Sequence, residues 1–184
     1  MLAALAILVS ISVVSARNEG TTPLPGDHEL LASGVSHTEY QGDLISYELT
    51  AESVAVVRKP AFAVFTVRGN NRLRLGKVRI ESDSSQTLQP FIASLGMAKM
   101  ECQIDDIELS FRNGQPLGNA NATALKVTAK LAAYQPGLLS LRDVTVDDPH
   151  GQRTYGAAIF SEADGSLRTD AGTTLRLPPP GGER

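Results

Sequence analysis

The stretch from Ala124 to Leu167 limits the fold more than any other, because the chain reverses at tight turns there and leaves no room for a helix between them. Leu125, Val127, Ala129 and Leu131 fall on one side of an extended chain, with Lys126, Thr128 and Lys130 on the other. A period of two marks a strand with one buried face. Gln135, Pro136 and Gly137 set a turn, since proline fixes φ and glycine accepts positive φ. Leu139 and Leu141 share the next face, and Val144 and Val146 are out of phase by one residue, which a bulge near Arg142 and Asp143 would correct. The chain turns again at Asp148, Pro149, His150 and Gly151, after which Tyr155, Ala157 and Ile159 alternate. This is the pattern of an antiparallel meander.

The same alternation recurs upstream. Between Asp43 and Glu52, Ile45, Tyr47, Leu49 and Ala51 oppose Ser46, Glu48 and Thr50. The apolar run from Pro60 to Val67, with Phe62 and Val64, suits a strand buried on both faces or an edge segment. Leu73, Leu75, Val78 and Ile80 alternate with a slip at Gly76, and Ile107, Leu109 and Phe111 open a second meander at Asp106 that leads to a hairpin signal at Asn113 and Gly114. Leu175 and Leu177 suit a last edge strand. Only Ser82 to Gln103 is irregular; the spacing of Leu88, Phe91, Ile92 and Leu95 predicts one short helix near Gln89 to Met100. Residues Tyr47 to Val56 also align with Leu125 to Tyr134 as a weak internal repeat. The expected fold is all-β, an antiparallel β-jellyroll or open sandwich of stacked meanders.

Residues 1–16 carry no charge and precede Arg17. The run is short of the ~20 apolar residues that span a bilayer and suits a hydrophobic helix acting as a signal peptide or a membrane anchor. Residues 17–36, with Pro23, Pro25 and Gly26, are expected to form a flexible tether, residues 37–177 the β domain, and residues 178–184 a disordered tail rich in proline and glycine. The domain is therefore expected to work outside the cytoplasm.

A net charge of −3 argues against general nucleic-acid binding, and an aromatic content of 5% without tryptophan leaves few stacking platforms. The single cysteine, Cys102, has no partner for an internal disulfide and suits a small buried hydrophobe. His28, His37 and His150 stand far apart and lack a second ligand at metal-binding spacing, and no nucleophile elbow or phosphate-binding glycine loop is present. The acidic pairs Asp105–Asp106 and Asp147–Asp148 sit at strand ends or turns, where aspartate is structurally common. No enzyme, cofactor or metal is expected. One surface feature stands out: Arg72, Arg74, Lys77 and Arg79 lie opposite Leu73, Leu75, Val78 and Ile80. They suit either a solvated strand face that discourages edge pairing or a contact with an anionic lipid headgroup.

From Tyr40 to Glu52, and again over Leu125–Tyr134, Leu139–Val146 and Ala163–Leu167, the chain resembles the lipopolysaccharide-export periplasmic bridge proteins, the LptC-like and OstA-like β-jellyroll group. Its apolar N-terminal segment and tether are closer to the membrane-anchored LptC-like members. Arg142 and Asp143 depart from the group's pattern, in which a glycine often precedes the following valine, and Ser82 to Gln103 has no counterpart. The resemblance implies a non-enzymatic relay of lipopolysaccharide or a related glycolipid, from the membrane subunits of an inner-membrane ABC transporter to another β-jellyroll protein joined by edge-strand addition. It implies acyl-chain contact on an inner face made of Tyr47, Leu49, Phe62, Val64, Leu75, Val78, Leu109, Phe111, Val127, Leu139, Leu141, Val144 and Ile159. Headgroup contact would then fall to Arg72, Arg74, Lys77 and Arg79. The alternative that the residues leave open is an extracytoplasmic structural or adhesive β-sandwich with protein partners.

Overall fold

The computed structural model describes residues 9–13, 28–58, 71–96, 100–112 and 125–177. The strands are β1 (Val9–Val13), β2 (His28–Gln41), β3 (Leu44–Arg58), β4 (Asn71–Ser82), β5 (Cys102–Phe111), β6 (Leu125–Gln135), β7 (Leu138–Asp148), β8 (Gly151–Ser161), β9 (Ser166–Thr169) and β10 (Thr174–Arg176). Among the described residues a single short helix, α1 (Gln89–Ser94), lies between β4 and β5. All the strands form one sheet in sequence order, and its end strands do not pair with each other. The protein is thus all-β, an open and mostly antiparallel sheet.

One pair breaks the antiparallel pattern. β4 and β5 run parallel, from Leu73 opposite Cys102 to Ser82 opposite Phe111. Parallel neighbours need a crossover that returns the chain to the starting end, and residues 83–101 with α1 supply it.

The sheet is folded across its strands. Its pairings pass from Ala51–Val78 directly to Ser53–Gly76, from Val78–Ile107 to Gly76–Asp105, from Ile107–Ala129 to Asp105–Leu131, and from Val144–Tyr155 to Arg142–Ala157. One residue on each of β3–β8 steps out of the ladder at the same level, namely Glu52, Lys77, Asp106, Lys130, Asp143 and Gly156, with Gly34 continuing the row on β2. Gly34, Lys77, Asp106 and Asp143 have positive φ, between 48° and 61°. Inward side chains are therefore spaced by three residues at this row instead of two, as in Ala51 and Val54, Leu75 and Val78, Ile104 and Ile107, or Ala129 and Ala132. The slips expected at Gly76 and near Arg142–Asp143 belong to this shared fold line rather than to separate bulges.

Folding along that line brings the two ends of the strands together. Phe111 pairs with Leu125, whereas Phe160 pairs with Leu139, which pairs with Tyr134. Leu125 and Tyr134 are nine residues apart on β6, so a flat sheet would separate their levels by about 30 Å. Instead the rings of Phe111 and Phe160 stack with centroids 5.0 Å apart. Each long strand thus contributes one half to either layer, and the apolar faces meet between them. Because the strand tips are adjacent, the β4–β5 crossover has only to bridge the mouth of the fold.

Three expectations are corrected by this geometry. Leu131 and Ile159 face outward, 43% and 50% exposed, while Ala132, Ala158 and Phe160 point inward, because the fold line shifts the phase within β6 and β8. Residues 28–36, expected to be tether, form the first half of β2, with Val35 in the core. The extra residue at Gly34 breaks their alternation and hides it from a period-two search. Within the apolar N-terminal segment, Val9–Val13 is a strand paired with β2 rather than a helix. Its valines and isoleucine alternate with serines, and β-branched residues favour the pleated conformation. The remainder of residues 1–16 lies outside the described residues, as do Phe62, Val64, Asn113, Gly114 and residues 178–184.

Candidate functional site

The mouth is the place where buried polar chemistry gathers. Ser85, Thr87 and Leu88 lead into α1, where Pro90 favours helix initiation by its fixed φ. Leu88 occupies the helix N-cap and forms no side-chain cap of its own. A carboxylate at the end of β8 instead holds the two residues that lead into the helix. Glu162 continues the inward phase of Ala158 and Phe160 past the end of β8 and is 8% exposed. Its Oε1 accepts hydrogen bonds from the backbone N–H of Thr87 at 2.7 Å and of Leu88 at 3.2 Å, and from the Thr87 hydroxyl. Its Oε2 accepts one from the Tyr134 hydroxyl at 3.2 Å. Ser85 Oγ donates to the Glu162 carbonyl at 2.7 Å, and the Tyr47 hydroxyl donates to the Thr87 carbonyl.

Beneath this network sit Leu88, Phe91 and Ile92, at most 1% exposed. The fully buried His37 meets Phe91 and Tyr47 edge-on, with centroids 6.1 and 5.8 Å away. Its Nε2 lies 3.4 Å from Glu39 Oε1, and its Nδ1 has no hydrogen-bond partner among the described residues. Burial, reinforced by the negative charge of Glu39 and Glu162, holds the Tyr47 hydroxyl well above its usual pKa. Burial likewise pushes Tyr134 up to about 12. Cys102, buried in β5, is raised to about 12 by desolvation, so its thiol is inert at neutral pH.

Of the residues expected on the inner face, Tyr47, Leu49, Leu75, Val78, Leu109, Phe111, Val127, Leu139, Leu141 and Val144 all point between the layers and are at most 2% exposed. Ile159 does not join them. Arg72, Arg74, Lys77 and Arg79 lie on the outer face, each beside a carboxylate: Arg72 with Glu101, Arg74 with Asp105, Lys77 with Glu52 and Arg79 with Glu108. Glu108 also takes Lys126. The basic residues are therefore half of a charge-paired strand surface and do not line the apolar interior.

Two hollows mark the outer face. One of about 890 Å³ runs along the fold line past Glu52, Lys77, Asp106 and Lys130, and another of about 500 Å³ is lined by Leu131, Ala133, Arg142 and Ile159. At the β7–β8 turn, Asp148 accepts the His150 backbone N–H at 2.9 Å and pairs with Arg153. Among the described residues, no group of three or more His, Cys, Asp or Glu could hold a metal ion, and no helix is long and apolar enough to cross a membrane.

The sequence marks Tyr47 for the inner face and Leu88, Phe91 and Ile92 for a helix, but not Ser85, Thr87 or Glu162 as their polar partners. Glu162 was the readable one: an acid in phase with Phe160 at the end of an apolar alternation, concealed when β8 is taken one residue out of phase. No family model, curated protein or solved structure compared with the chain matches it.

Proposed function

We propose that the protein is an exported, non-enzymatic lipid carrier of the β-jellyroll kind, taking the acyl chains of lipopolysaccharide or a related glycolipid between the two layers of its folded sheet. In this reading it receives the lipid from the membrane subunits of an ABC transporter and passes it to another β-jellyroll protein joined by edge-strand addition. The observation that carries the proposal is the sheet itself, with one continuous apolar face and two end strands that do not close on each other. A closed barrel has no edge, whereas an open folded sheet keeps a seam and strands free to extend a neighbour's sheet. The resemblance over Tyr40–Glu52 and Leu125–Leu167 points the same way. Cleavage after Ala16 would remove β1 and leave β2 as an edge, while retention would keep β1 on that edge.

The test is mass spectrometry of lipid co-purified with the full chain, together with crosslinking from a photoreactive residue at Phe111. Stoichiometric glycolipid and a lipid crosslink are expected. A lipid-free protein, with no crosslink under conditions that label a known carrier, defeats the proposal.

One observation favours a second reading, an extracytoplasmic structural or adhesive sandwich with protein partners. Leu49, Leu73, Leu75 and Ile80 have no exposed surface, and such a filled interior needs no ligand. The same lipid analysis separates the two.

A further inference from the structure

We infer that α1 occupies an acyl-chain subsite: Leu88, Phe91 and Ile92 fill the mouth in place of a lipid chain, and Glu162 is the latch that must release before a chain can enter. The inference rests on the carrier reading and adds to it where the chain binds and what bars the way.

Four observations converge on it. First, the crossover needs only to bridge two adjacent strand tips, yet it drives three large apolar side chains between the layers. Their side chains hold about fifteen carbons, close to one myristoyl-length chain. Second, Phe91 and Ile92 belong to a six-residue helix with Leu88 at its N-cap, too short to hold its own structure in water. Its position depends on anchors from outside it. Third, besides the burial of these side chains, the polar anchors are few and mostly on one residue: the Glu162 carboxylate on Thr87 and Leu88, the Glu162 carbonyl on Ser85, and the Tyr47 hydroxyl on Thr87. Fourth, the β4–β5 ladder runs from Leu73–Cys102 to Ser82–Phe111, interrupted only where Lys77 and Asp106 step out at the fold line, and none of its pairs involves α1. Withdrawing α1 therefore breaks no strand pairing among the described residues. Behind the plug, His37 Nδ1 is buried without a partner among the described residues, a cost of the closed state that the open one relieves by admitting water.

A reversible lock tests the idea. An ideal Cβ built on Gly165 lies 3.4 Å from Ser85 Cβ, within about 0.1 Å of the spacing a disulfide accepts. Cys102 is buried and does not compete. Gly165 has φ +60°, so a side chain there is strained. The oxidised and reduced forms of the same Ser85→Cys/Gly165→Cys protein are therefore compared, with the full chain titrated with the fluorescent fatty acid cis-parinaric acid. Affinity is expected to fall at least tenfold on oxidation and to return on reduction. Glu162→Ala orphans Thr87 N–H and Leu88 N–H only in the closed state, and should raise affinity roughly tenfold. Phe91→Ala/Ile92→Ala empties the subsite with the latch intact and should also bind more tightly. Equal binding by the oxidised and reduced forms, or a plug truncation that leaves affinity unchanged, overturns the plug while a wild-type protein that binds the probe keeps the carrier reading. If neither wild type nor the two opened variants bind the probe, the carrier reading falls and takes the plug with it.

Discussion

The fold line and the mouth sit at opposite ends of the same strand halves and are built by opposite means. At the fold line the polar groups are exposed, their charges alternate from Glu52 to Lys77 to Asp106 to Lys130 to Asp143, and the backbone takes a left-handed turn on several strands. At the mouth positive φ falls on glycines, Gly137 and Gly165, and the polar groups are buried and joined through one carboxylate. Water can replace any partner lost at the fold line; at the mouth it cannot. The contrast teaches where this sheet can tolerate change and where it can be opened, and it sets the order of the expected effects.

The largest follows from breaking the contact between layers. Phe160 is fully buried and stacks on Phe111 across the mouth. Phe160→Ala should cost about 4 kcal/mol, measured by urea denaturation. A loss below about 1 kcal/mol would mean that the layers do not rest on each other there.

Next comes the latch. Glu162→Ala leaves the Thr87 and Leu88 amides and the Tyr134 hydroxyl without their acceptor and should cost about 3 kcal/mol. Hydrogen exchange should speed up at Thr87 and Leu88 and stay unchanged at Val78 on the fold line. The mouth should also be alkali-sensitive. Tyr134 is raised to about 12 in the folded protein, above the ordinary tyrosine value of 10.0. Its contribution is therefore fully present below pH 10.0 and is lost as pH climbs toward about 12. Tyr47 is shifted in the same direction and adds to the loss. Stability measured from pH 9 to pH 12 should fall less steeply in Tyr134→Phe than in the wild type.

The sequence disclosed the strands more readily than their folding. Alternation alone located Leu49, Leu75, Leu109, Val127 and Leu141 on one apolar face, and the repeat of Tyr47–Val56 in Leu125–Tyr134 is structural, since both copies lose phase at the fold line, at Glu52 and at Lys130. A slip that all the long strands share leaves register intact, so each of them taken singly shows either a lone bulge, as at Gly76, or a false alternation, as at Leu131 and Ile159. The mouth is less legible still. Glu162 and Thr87 are 75 residues apart, and no local pattern signals a helix entry held by a distant carboxylate. The parallel pairing of β4 with β5 was equally hidden, because only the folded sheet brings the two ends of the crossover close together.

A smaller effect, of opposite sign, is expected at the fold line. Asp143 has φ 52° and Asp106 φ 58°, a conformation costly for a residue with a Cβ. Asp143→Gly should therefore stabilise the protein by about 1 kcal/mol, partly offset by the greater freedom of glycine in the unfolded chain. Asp143→Val should destabilise it, since a β-branched side chain tolerates positive φ worst. If Asp143→Gly were as damaging as Glu162→Ala, the fold line would be holding the layers by side-chain contacts and the contrast would fail.

The smallest effect is expected on the outer ladder of ion pairs. Arg74 Nε donates to Asp105 Oδ2 at 2.8 Å, with the two side chains 49% and 34% exposed. In that setting the Coulomb attraction is weakened by water and offset by the entropy of holding two side chains still, which leaves about 0.5 kcal/mol or less. A double-mutant cycle of Arg74→Ala and Asp105→Ala should return a coupling of that size, fading further in 1 M salt as the screening length drops to about 3 Å. The geometry looks as good as that of the Glu162 contacts, so the two sites differ chiefly in access to water. A coupling at Arg74–Asp105 near that of Glu162 with Thr87 would show that exposure does not decide what these polar contacts contribute, and the outer charges would then have to be counted among the forces that hold the sheet bent.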